Sequence, residues 1–463
     1  MTYDSFLIDK FSLTLKDAFH SGALSGNQRD FSDLRGNNAL ARTASYHDWQ
    51  SRRRDALLWS YTNAIHSPAA PSLTVTDCHG DVRSGINYAS QDYLSLSSHP
   101  AVKEAAHEAI EKHGIHSAGS AIFQGNTSVS LQLEAELAEA LAVEHVLLFP
   151  TGWSAGYAAI KGLMRPKDHI ILDRFAHNCL ANGAYAATTH IHRANHLDVD
   201  HVEAILKEIR ARDTENAVMV VSESLFSMDA DTPNLARLQE VCTDYNATLL
   251  VDIAHDFGSM GPNGTGALGT QGILGQVDLV MGSFSKTFAS NGGFIGTNNA
   301  AVKQYLSWFA PSFTFTNALS PVQAAVVQQA LRIVRSAEGD QLRTRLLSAI
   351  LSLRNALQTR GIEVMGVPSP IVPALLGHEG IGRIATSICF RMGLFTNLVE
   401  FPAVPVDKVR YRMQVMASHT AEQAERAADI IKESLLEAEE LYHNYEKLGR
   451  ARRERLETAA SPA

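Results

Sequence analysis

Lys286 closes the run Gly282-Ser283-Phe284-Ser285-Lys286, directly after the apolar stretch 277–281. A lysine leaving a buried strand is poorly solvated, so its amine is more readily neutral and able to form a Schiff base with an aldehyde. Ser283 and Ser285 add hydroxyls suited to a phosphate. A lysine that simply reaches solvent from a strand end has the same local sequence. Asp252 and His255 end a second apolar run, Leu249-Leu250-Val251-Asp252-Ile253-Ala254-His255. An aspartate at a buried strand end is costly to ionise unless it meets a cation, and a protonated pyridine nitrogen is such a cation. His255, three residues on, can reach a hydroxyl of the same ring; a helix-capping aspartate and a surface histidine are the plainer alternative. A third run, 145–149, leads into Thr151-Gly152-Trp153, a turn before a helical stretch beginning near Ser154. Backbone N–H groups at a helix start favour a phosphate, and Gly152 permits close approach, although many loops share this pattern. An acid, an anion-binding turn and a lysine at three strand ends mean more together than singly.

Those strand ends meet only if the strands share a sheet. The runs 145–149, 169–173, 217–222, 247–252 and 277–281 are nearly continuous in apolar character, as strands buried on both faces are. Helical stretches lie around them. One opens at His99-Pro100 and ends at Gly114, and another carries Leu133, Leu137 and Leu141 at helical spacing. This alternation implies an α/β fold with a mostly parallel sheet flanked by helices, and ligands at the carboxyl ends of its strands. Ser320-Pro321 starts a further helix, 410–416 is expected as a strand, and Thr420 with Gln423 forms a capping box for a long charged helix ending near Leu448. The expected division is an N-terminal extension and arm over 1–86, a large domain over 87–320 and a C-terminal small domain over 321–463. The smaller lobe draws on both chain ends, and residues 1 to about 85, with Gly, Asn, Ser and Arg spread through 21–55, are expected to be polar and irregular.

Bulk properties narrow the function. The chain has 463 residues, 45% hydrophobic and 19% charged, which fits a folded protein of two or three lobes. A net charge of -9 disfavours a general nucleic-acid binder. Cys78, Cys179, Cys242 and Cys389 make no CxxC pair, so reduced thiols are expected rather than disulfides or a zinc site. Neither a charged-then-apolar leader nor a bilayer-length apolar run is present, and a soluble cytoplasmic protein is expected. The segment from Phe6 to Phe19 is expected to be a packing helix. His190, His192 and His196 match no zinc pattern and are assigned structural roles. Gly264 to Gly269 satisfies GxGxxG without directly following a strand, and the basic run 447–455 is assigned to a solvated helix face.

Six stretches, in order, resemble the α-oxoamine synthases, pyridoxal-phosphate enzymes of fold type I. Asn87 to Leu94 (NYASQDYL) is similar to N-[FY]-x-S-N-D-Y-L, and Asp173 to Gly183, with His177 inside, to D-x-x-x-H-x-S. Glu223 to Asp231 (ESLFSMDAD) is similar to E-G-x-F-S-M-D-G-D. Asp252 to His255 with Gly258 and Gly261 follows D-E-A-H-x-x-G-x-x-G, and Gly282 to Gly293 follows G-T-x-S-K with a later G-G. Phe401 to Thr420 resembles F-P-x-V-P…R-x-R…A-x-H-T. The resemblance implies pyridoxal 5'-phosphate as cofactor, with Lys286 as its Schiff-base lysine and later proton-transfer base. It implies Asp252 against the pyridinium nitrogen, His177 on the ring face, and His255 and Ser227 near the ring oxygen. Gly152 and Trp153 would offer backbone contacts to the cofactor, and Ser283 a hydroxyl to its phosphate. Thr316 would reach a phosphate in the other subunit of a homodimer. Arg412 would hold the amino-acid carboxylate by a bidentate contact, with Arg410 as its rival.

The implied reaction is decarboxylative condensation of a small amino acid with an acyl thioester, carried by coenzyme A or an acyl-carrier protein, to an α-amino ketone. Two alternatives are a non-catalytic subunit of a heterodimer, whose expected mark is a missing lysine, and transamination or side-chain cleavage on the same fold. Several positions depart from the family pattern. Gly119-Ser120 is followed by Ala121 where arginine is common, and Thr127 and Ser130 replace histidines. Ile253 replaces glutamate, and Glu400-Phe401-Pro402-Ala403-Val404-Pro405 stands where 8-amino-7-oxononanoate synthases have R-P-P-T-V-P. Loss of cationic and polar groups argues against an acyl chain ending in carboxylate and for an apolar one of medium or long length.

Overall fold

The computed structural model describes residues 22–460, with side chains as far as Lys447. The segment from Phe6 to Phe19, and the side chains of the basic run beyond Lys447, lie outside the described residues. Strands β1 (Ala64–Ile65), β2 (Ser72–Thr76) and β3 (Val82–Asn87) come first. Then follow β4 (His145–Phe149), β5 (His169–Asp173), β6 (Ile191–Ala194), β7 (Val218–Glu223), β8 (Thr248–Asp252), β9 (Leu279–Ser283) and β10 (Gly293–Thr297). The last are β11 (Ile371–Gly377), β12 (Leu394–Phe395), β13 (Asn397–Val399) and β14 (Val409–Gln414).

The seven-stranded sheet has the order β4-β10-β9-β8-β7-β5-β6. From β9 through β6 every pairing is parallel. Successive side chains on these strands enter opposite faces. Ile171, Val220, Val251 and Val280 join one core, and Leu172, Val221, Leu250 and Met281 join the other. Burial on both sides explains why these strands carry unbroken apolar runs. Two strands of this sheet, β10 and β6, are not evident in the sequence. Strand β10 pairs antiparallel with both β4 and β9, and its Gly-Phe-Ile-Gly-Thr sequence is broken by glycines that conceal the pattern. Strand β6 is an edge strand with one neighbour and tolerates His192 and Arg193. No helix among the described residues is long and apolar enough to cross a membrane.

The N-terminal segment is more regular than its composition suggests. A helix spans Ala44–Asp55, and β1, β2 and β3 form a sheet that β12 completes from the far end of the chain. The helix is polar nearly all round and carries no apolar stripe to betray it; it packs through Trp49 and Arg53. At the other end, the terminal helix continues past Leu448 to Ala460, because only Gly449 interrupts a run of good helix formers.

Arg53 and Arg383, each 2% exposed, converge on Glu400. Tyr61 donates to the same carboxylate at 3.0 Å, and Arg383 also binds the carbonyls of Ser25 (3.3 Å) and Gly26 (2.7 Å). The cluster fastens residues 25–61 to the loop after β13, which lies beside β14. Burial alone raises the Glu400 pKa, but Arg53 and Arg383 outweigh it and hold the carboxyl below its ordinary range. A depressed acid contributes stability above its unfolded pKa and loses it as pH falls through the folded value. Glu400→Gln leaves two buried guanidinium groups without a counter-charge and is expected to cost about 3–5 kcal/mol. Urea unfolding at neutral pH measures that difference, and the parent and variant curves should converge in acid.

Candidate active site

The carboxyl ends of β7, β8 and β9 and the turn after β4 open onto one cavity of about 240 Å³. Gly152, Trp153, His177, Asp252, His255, Ser283 and Lys286 all line it. That volume is below the roughly 300–1,000 Å³ usual for small-molecule sites, so it suits a single compact group.

At one end of the cavity, Gly152 begins the helix Gly152–Lys161. Thr151 caps it by accepting from the Ser154 N–H at 3.1 Å, while the Thr151 N–H donates to the Ser154 hydroxyl at 3.2 Å. The N–H groups of Gly152 and Trp153 have no hydrogen-bond partner among the described residues, as expected in a first helical turn. The turn lies so close to β9 that a Cβ on Gly152 would stand 2.4 Å from Ser283 Cβ and Oγ. Ser283 and Ser285 share a 2.8 Å hydrogen bond. The Trp153 indole stacks near Tyr157 and donates to Asn178 at 3.2 Å, which ties its ring to the neighbouring helix.

At the other end are the ionisable groups. Asp252 is buried and accepts the Ala254 N–H at 2.9 Å. Burial raises its pKa, against the pull of Lys286 and His177. Lys286 is partly buried; desolvation lowers its pKa and Arg412 adds to that, while Asp252 and Glu223 oppose it. His177 caps the helix Asn178–Ala187 through Nδ1 and is shifted down by desolvation against the pull of Asp252. His255 is buried and held well below its ordinary value by burial and by the Lys286 and Arg412 cations.

Ser227, Arg412 and Thr316 stand outside this lining. The Ser227 carbonyl, not its hydroxyl, accepts from Arg412 Nε at 2.9 Å, because the loop turns its backbone toward β14. The terminal nitrogens of Arg412 have no hydrogen-bond partner among the described residues. Arg410 is engaged: it pairs with Asp229 and donates to the Met228 carbonyl at 3.3 Å. The Thr316 hydroxyl donates to the Ser312 carbonyl at 2.7 Å, next to Phe315, which is 85% exposed. His196 is engaged between Asp173 (2.9 Å) and Asp231 (3.1 Å), and their hydrogen bonds raise its pKa to about 9 against the cost of burial.

Three residues of the site's surroundings were missed from the sequence. Glu223 lines the cavity, is paired in register with Asp252, and accepts the His177 N–H at 2.6 Å. Burial and Asp252 push its pKa well up, which favours the neutral carboxyl. An acid at the end of an apolar strand was the available signal. Cys179 also lines the cavity, 3.0 Å from His177 Nδ1. Tyr93, 3.0 Å from His255 Nδ1, comes from a distant segment that no local pattern links to β8.

Fold and site together define an α/β protein with a lysine, a buried acid and an open helix start around one cavity. The family model for aminotransferase class I and II matches residues 83–431. The chain is 30% identical over 372 residues to a serine palmitoyltransferase of Sphingobacterium spiritivorum, covering 80% of this chain and 90% of the relative. It is 31% identical over 385 residues to an 8-amino-7-oxononanoate synthase of Cellvibrio japonicus, covering 83% and 94%. A serine palmitoyltransferase solved with PLP superposes with a TM-score of 0.81 at 24% identity, over 87% of this chain and 99% of that one; this likeness bears on the fold. The chain belongs to the aminotransferase class I and II family.

The contact between Gly152 and β9 leaves no room for a methyl group. Gly152→Ala is expected to destabilise the protein by about 1–3 kcal/mol, measured as a lower urea midpoint in the cofactor-free protein.

Proposed function

We propose that this chain is a pyridoxal-phosphate-dependent acyltransferase condensing a small amino acid with an acyl thioester, with loss of carbon dioxide, to an α-amino ketone. The observation that carries the reading is Lys286 and Asp252 facing one cavity whose other end is an uncovered helix start beside glycine. The residues fit the cofactor. The N–H groups of Gly152 and Trp153 and the Ser283 hydroxyl suit its phosphate. Asp252 suits the protonated ring nitrogen, His177 the ring face and His255 the ring oxygen. Bound there, pyridoxal phosphate supplies an electron-poor ring that spreads the electron pair left on the substrate's α-carbon.

The chain's own groups do the rest. Lys286, with its lowered pKa, has a neutral amine more readily available to take the α-proton at Nζ. The Asp252 carboxyl, whose pKa burial raises, would be held ionised by a cationic ring placed against it deep in the cavity. Arg412, oriented by the Ser227 carbonyl, presents its free guanidinium edge to the amino-acid carboxylate; Arg410 is engaged with Asp229 and lacks that freedom. The cavity holds compact groups, so the acyl chain lies outside it. Ala121, Thr127 and Ser130 support an apolar chain of medium or long length, delivered by coenzyme A or an acyl-carrier protein. Thr316 from a second copy of the chain contacts the phosphate, which the exposed Trp308, Phe309 and Phe315 beside it support. The homodimer, the division into arm (1–86), large domain (87–320) and small domain (321–463), and a cytoplasmic setting belong to the same reading; the four free cysteines favour that setting.

Purified protein with pyridoxal phosphate is expected to have a visible absorption band that Lys286→Ala abolishes. One small amino acid should shift that band and, with an acyl thioester, yield an amino ketone. Keto-acid formation without thioester consumption would overturn the reading. Arg412→Ala is expected to raise KM for the amino acid roughly hundredfold with a smaller change in kcat. Steady-state kinetics with saturating thioester separate the two.

A further inference from the structure

Tyr93 is fully buried behind the cavity wall. Its hydroxyl lies 3.0 Å from His255 Nδ1 and has no second hydrogen-bond partner among the described residues. Its backbone is fixed on two sides. The Tyr93 carbonyl accepts from the Ala417 N–H at 2.8 Å. The preceding Asp92 accepts from the N–H groups of Leu96 (2.9 Å) and Ser97 (3.1 Å). His255 lines the cavity with Asp252 and Lys286, and its Nε2 has no hydrogen-bond partner among the described residues.

A count of protons separates the two arrangements. The imidazole is neutral, since burial and the Lys286 and Arg412 cations disfavour its charged form, and burial keeps the Tyr93 phenol protonated. One N–H and one O–H therefore share a single hydrogen bond. If Nδ1–H donated to the phenol oxygen, the phenolic proton would be buried without an acceptor. If the phenol donates to Nδ1, the imidazole proton sits on Nε2, on the side free to face the cavity. A buried donor without an acceptor is the costlier state, and the hydrogen bond at one ring nitrogen sets the role of the other.

We propose that Tyr93 is a positioning residue that fixes His255 as the Nε2–H tautomer, so that the cavity wall offers a neutral donor to an anionic ring oxygen. The assignment of that oxygen rests on the reading of the cavity as a pyridoxal-phosphate site. The positioning does not: it is set by the chain alone.

The test uses cofactor-free, full-length protein with ring-15N histidine, read by magic-angle-spinning NMR, with His255→Gln identifying the resonance. The parent is expected to have His255 protonated at Nε2. Tyr93→Phe, which deletes only the hydroxyl, should move the proton toward Nδ1 and weaken pyridoxal-phosphate binding about tenfold, followed by absorbance. Protonation at Nδ1 in the parent overturns the proposal even if the variant fails to fold. An unchanged tautomer in a folded Tyr93→Phe protein overturns it as well. The expected tautomer change in a protein that takes up no pyridoxal phosphate upholds the positioning role and overturns the proposed function instead.

Discussion

The site depends on one constraint: charges taken out of water at the ends of parallel strands must compensate one another. Asp252 and Glu223 are adjacent acids on β8 and β7, buried and paired in register. Two ionised carboxylates there would repel in a poorly screened interior. The structure resolves this by asymmetry. Burial and Asp252 push Glu223 toward its neutral form and it accepts the His177 N–H, while the charges of Lys286 and His177 favour the ionised form of Asp252. Each shift has the same direction in physical terms: lysine and histidines down, acids and Cys179 up, all toward neutrality. A cavity in that condition gains most from a ligand that brings its own opposed charges to its two ends.

Parallel topology makes the arrangement possible. Only strands running the same way deliver their last residues to one edge, and β7, β8 and β9 do so in register. The antiparallel β10 serves a different need. Its first residue, Gly293, lies against Gly152, where a Cβ would come within 2.5 Å of the Gly152 Cα. The helix start is thereby pressed onto β9, and its free N–H groups come near the Ser283 hydroxyl. Glycines at 152 and 293 are therefore packing residues, and the two glycines of β10 explain why its strand pattern is hard to see in the sequence.

Much of this was legible because burial on both faces leaves unbroken apolar runs, and chemistry collects where such runs stop. Lys286, Asp252, His255 and Gly152 follow from that rule. His177 followed only from resemblance, since it sits four residues past β5 on a loop whose sequence carries no periodicity. Tyr93 and Glu223 illustrate two kinds of loss. Glu223 obeyed the rule and was passed over; Tyr93 reaches His255 across 162 residues of chain, and no local pattern encodes such a contact. The helix Ala44–Asp55 was hidden for a third reason: its contacts are Trp49 and a buried Arg53 rather than an apolar stripe.

The two arginines of β14 make the limit of sequence reading concrete. Arg410 and Arg412 are two residues apart on a strand, so both side chains leave the same face, and type, spacing and strand position fail to rank them. Their neighbours do. Asp229, two residues beyond Ser227 on the loop after β7, captures Arg410, whereas Arg412 meets only the Ser227 carbonyl and retains its terminal donors. Which arginine keeps its terminal donors free is thus decided by the loop after β7 and not by β14, and the same loop is held in place by His196 through Asp231.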